Sequence, residues 1–80
     1  MKKRTNRERL AAMSQEYERM ERKAHELLAN GKVKEANRAQ DALWGIRHAL
    51  ATMGYELSVH YLTFEDFNTG NCIAIITTKT

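Results

Sequence analysis

Cys72, Ile73, Ala74, Ile75 and Ile76 form an uninterrupted apolar run after about fifty residues patterned for helix. Successive side chains of a strand point to opposite faces, so an apolar run without alternation predicts a strand covered on both sides. A chain of 80 residues has little material to do this alone. A domain this small buries only about 60% of the surface its unfolded chain exposes, which makes association the expected stabiliser. The run therefore predicts a homodimer or higher oligomer built through the strands.

Other features narrow the class. Cys72 is the sole cysteine, so no internal disulfide forms, and a free thiol fits a reducing, cytoplasmic setting. The basic start Met1-Lys2-Lys3-Arg4 leads into Thr5, Asn6, Arg7, Glu8 and Arg9 rather than the apolar core of a secretion signal. No apolar run approaches the roughly 18 residues of a membrane span, so no membrane partner is expected.

Two helices precede the run. Thr5 and Glu8 make a capping box, and Leu10, Met13, Tyr17, Met20, Ala24 and Leu27 follow at alternating spacings of three and four, an a/d seam. Arg9, Glu16, Glu18, Arg19, Glu21, Arg22 and Lys23 surround that seam as a largely solvated face. Asn30-Gly31 ends helix 1, which spans 5–30. Helix 2, spanning 32–53, repeats the spacing with Ala36, Ala39, Leu43, Ile46, Leu50 and Met53, and Gly54 closes it. A tight turn between helices of this length gives a long antiparallel helical hairpin.

From Tyr55 the period becomes two, and Phe67-Asn68-Thr69-Gly70-Asn71 matches a hairpin turn with glycine in the bulge position. Pairing Phe67 with Asn71 sets Thr63 opposite Ile75, Leu62 opposite Ile76 and His60 opposite Thr78. One face then collects Leu57, Val59, Tyr61, Phe67, Ile73 and Ile75, the expected oligomer interface; Leu62, Phe64, Cys72, Ala74 and Ile76 form the other. The expected fold is α+β: a single domain with a long antiparallel helical hairpin followed by a C-terminal two-stranded β-hairpin at 55–78, oligomerising through the strands.

Chemistry is sparse. In that register His60 lies roughly 20 Å from Cys72, too far to activate the thiol. His25, His48, His60 and Cys72 sit on separate elements without metal-ligand spacing, and Asp66, Asn68 and Gly70 lack the glutamate a calcium loop requires. No phosphate loop, paired-carboxylate arrangement or serine triad signature is present. No metal, no cofactor and no enzymatic activity are expected.

Helix 2 carries the best candidate. Asn37, Asp41, Trp44 and His48 share one stripe, with Arg47 beside Trp44 where it can stack on the indole. Gly45 costs about 1 kcal/mol relative to alanine inside a helix, which suggests close approach of the β-hairpin or a ligand. These features fit a small non-enzymatic inhibitor or adaptor of phage or plasmid type, binding a host protein or sequestering a small anionic, nucleotide-like ligand. The alternative is nucleic-acid binding through a basic arm of Lys2, Lys3, Arg4, Arg7 and Arg9. Residues 1–54 hold 12 Lys/Arg against 7 Asp/Glu, but Glu16, Glu18, Glu21 and Glu26 interrupt the positive stripe of helix 1.

Overall fold

A computed structural model describes residues 5–78: helices α1 (Asn6–Ala29) and α2 (Val33–Thr52), strand β1 (Tyr55–His60), a short helix α3 (Phe64–Thr69) and strand β2 (Ile73–Thr78). The fold is α+β, a helical hairpin followed by a two-stranded antiparallel sheet. The Thr5 hydroxyl accepts from the Glu8 amide at 3.2 Å, which fixes the start of α1. Gly31, at φ 76°, allows the chain to leave α1 while the Lys32 amide donates to the Leu27 carbonyl at 2.9 Å.

The sheet lies across the helical hairpin, β2 on α1 and β1 on α2. Tyr17, Ala24, Leu43, Leu50, Leu57 and Ala74 form the core, and Leu43 and Leu50 are its fully buried members. The seam fails only at its end, where Met53 is the exposed cap residue of α2. On β2 the Ala74 N–H points away from β1 and donates to Glu18 Oε2 at 2.9 Å, so a side chain of α1 occupies part of that strand's outer edge.

The connection between the strands departs from the expected hairpin turn. Residues 64–69 are helical: the Thr63 hydroxyl caps α3 by accepting from the Asp66 amide at 3.0 Å, and Gly70, at φ 77°, ends it. Asn71 closes the corner, its amide donating to the Asp66 carbonyl at 2.9 Å. A six-residue helix consumes more chain than a bulged turn, so the register differs by five. Leu57 faces Ile76, Val59 faces Ala74 and His60 faces Ile73.

An odd shift exchanges the cross-strand partners on both faces. Leu57, Val59 and Tyr61 accordingly belong with Cys72, Ala74 and Ile76 on the inner side, and Leu57 is buried in the core. Ile73 and Ile75 lie on the outer side beside Glu56, Ser58 and His60. Phe67 is on α3, its ring meeting Tyr61 edge-on at 5.1 Å. The six residues expected to form one interface are thus divided among the core, α3 and the outer face.

Candidate functional site

Trp44, Arg47 and His48 line a common cleft beside α2. Trp44 is 66% exposed, unusual for a tryptophan, and the Arg47 guanidinium lies 5.8 Å from its ring centroid. Arg47 is half-buried and makes no ion pair among the described residues. Two clefts meet at this pair, the first bounded by α1, α2 and the strand end, the second by α2 and β1. One, of about 180 Å³, is lined by Tyr17, Glu21, Val59 and Tyr61 besides Trp44 and Arg47. The other, of about 360 Å³, adds His48, Ala51, Tyr55 and Glu56 to the same two residues.

Asn37 and Asp41 are exposed on α2 and line neither cleft. Gly45 has open space where a Cβ would stand, so the β-hairpin is not what its small size admits. Arg7 and Arg9 lie exposed in the first turn of α1, and Lys2, Lys3 and Arg4 fall outside the described residues. Among the described residues no three His, Cys, Asp or Glu side chains group as metal ligands, and no helix is long and apolar enough to cross a membrane.

The site also contains a carboxylate that the sequence pattern placed among solvated charges. Glu21 is only 8% exposed. Its Oε1 accepts from the Tyr61 hydroxyl at 3.2 Å and lies 3.1 Å from His25 Nε2. His25 Nδ1 in turn donates to the Asn68 carbonyl at 3.2 Å, tying α3 to α1. The spacing Tyr17–Glu21–His25, each one helical turn from the next on the sheet side of α1, was the available signal.

Electrostatics follow from burial around Glu21. Burial and the Glu21 charge push the Tyr61 hydroxyl up to about 12, so it remains a donor at ordinary pH. Burial also raises Tyr17, an effect the nearby Arg47 charge partly offsets. Cys72 is pushed up to about 11 by burial and by the charges of Glu21 and Glu18, which leaves a neutral, unreactive thiol. His60 stands one register position from Cys72, much nearer than the expected roughly 20 Å; the inner and outer faces of the sheet keep the two apart.

No protein-family model, curated protein or solved structure matches the chain.

Proposed function

We propose that this chain is a small non-enzymatic interaction module that holds a small anionic ligand of nucleotide type at the Trp44–Arg47 surface. The observation that carries this reading is the half-buried Arg47 guanidinium, laid over an exposed indole and without a carboxylate partner among the described residues. A partly desolvated guanidinium favours an anion, and an open aromatic face favours a flat ring. The larger cleft, about 360 Å³, falls at the low end of small-molecule sites, roughly 300–1,000 Å³. Reduced Cys72 suits action in the cytoplasm.

Calorimetric titration with nucleoside monophosphates at low salt tests the reading. Saturable binding, weakened about tenfold or more by Arg47→Ala, supports it. Absence of heat with every nucleotide, from protein of native circular dichroism, overturns it.

Self-association belongs to the same proposal. Ile73 and Ile75 stand exposed on the outer sheet face, and Leu62 and Phe64, in the connection between the strands, are 77% and 80% exposed. Burial of Ile73 and Ile75 against a second copy would remove exposed apolar surface from water. A mass equal to one chain at tens of micromolar would count against it.

A further inference from the structure

We infer that the smaller cleft reads the base of the bound nucleotide, with Glu21 accepting from a guanine edge stacked on Trp44. This rests on the reading of the Trp44–Arg47 surface as a nucleotide platform, and adds which base it takes.

The two Glu21 oxygens are used unequally. Oε1 is engaged by Tyr61 and by His25, which fixes the side chain's position. Oε2 takes no hydrogen bond from the described residues, yet no polar side-chain atom among them is both sealed from solvent and unpartnered. Glu21 is more than nine-tenths buried and lines the smaller cleft, and Oε2 is its oxygen with free lone pairs, which makes it the acceptor available to a ligand there. A carboxylate is purely an acceptor when ionised and selects a ligand with N–H donors.

The walls define the rest of the ligand. The indole of Trp44 borders both clefts and offers a flat apolar face for stacking, worth about 1–3 kcal/mol for a nucleobase. Guanine presents N1–H and the N2 amine side by side, and both can donate to Oε2, whose two lone pairs are free, while Oε1 keeps Tyr61 and His25. Adenine presents its N1 lone pair next to the N6 amine, which sets one acceptor against another. The phosphate then lies toward Arg47 and His48 in the larger cleft. Glu56 also lines that cleft, so it offers no further strong cation for a second phosphate, and a monophosphate is the form that fits.

Quenching of Trp44, the sole tryptophan, gives a direct readout on the full chain. GMP should bind about tenfold or more tightly than AMP, and inosine and 1-methylguanosine monophosphates should each lose part of that preference, because each lacks one donor. Glu21→Gln, once its circular dichroism matches wild type, should narrow the GMP-to-AMP ratio. Binding of GMP and AMP with equal affinity, or a ratio unaltered by removing either donor, overturns the guanine assignment while leaving the platform standing. No quenching by any nucleotide overturns the platform itself. With the preference present, tighter binding of the dinucleotide GpG than of GMP assigns the source to a nucleic-acid end, and weaker binding assigns it to the free nucleotide.

Discussion

Tyr61 donates its hydroxyl to Oε1 of Glu21 at 3.2 Å, joining the residue that follows β1 to α1 across 40 residues of sequence. That bond holds a buried carboxylate at the wall of the smaller cleft and draws the strand onto the helix. Tyr61→Phe keeps the ring and its contact with Phe67 but removes the donor. Urea unfolding should show a loss of about 1–2 kcal/mol. A change within error would mean that the bond carries no net stability.

Gly70, which ends α3, packs tightly against α1. A Cβ there would stand 2.5 Å from His25 Cδ2 and 2.8 Å from the Glu21 carbonyl, in a backbone at φ 77°. Gly54 has a comparable φ of 89° but open space around it. Gly70→Ala should therefore cost about 3 kcal/mol or more, and Gly54→Ala about 1–2 kcal/mol, as measured by thermal or urea denaturation. Equal losses would show that His25 yields readily and that α3 is only loosely seated.

Alkaline pH should destabilise the fold. Burial raises Cys72 from 9.0 to about 11 and Tyr61 from 10.0 to about 12, so the folded state holds protons that the unfolded chain releases. Their contribution is fully present below pH 9 and is lost as pH rises through the raised values. The urea midpoint of wild type should fall over that window more steeply than that of the double variant C72A/Y61F. Parallel curves would remove these two groups as the cause.

The helices were legible because capping and seam periodicity are local signals: Thr5 and Glu8 start α1, and nearly every seam residue points inward. The strand register was not, because it depends on how much chain the connection consumes. The glycine-bearing segment Phe67–Asn71 fits a bulged turn, whereas Thr63 with Asp66 three residues later is a helix start that the sequence also contained. Trp44 and Arg47 were legible as a pair from their i,i+3 spacing. Glu21 was not, since burial of a charge flanked by charged neighbours is decided by Tyr61 and His25, the former 40 residues away in sequence.

The corrected register separates stability from association. Leu57→Ala removes a core side chain and should cost about 2–5 kcal/mol. Ile75→Lys, on the outer face, should leave helix content unchanged while lowering the mass seen by sedimentation. If Ile75→Lys leaves an oligomer intact, its interface lies elsewhere.

The pairing of Arg47 with the exposed Trp44 carries the functional account, and Trp44 emission reports on it without a label. GMP titrated at low salt into wild type and Arg47→Ala, compared side by side, is the most direct measurement. Saturable quenching is expected in wild type, with an affinity about tenfold or more weaker in the variant. An emission unaltered by GMP, or two superimposable curves, would contradict it.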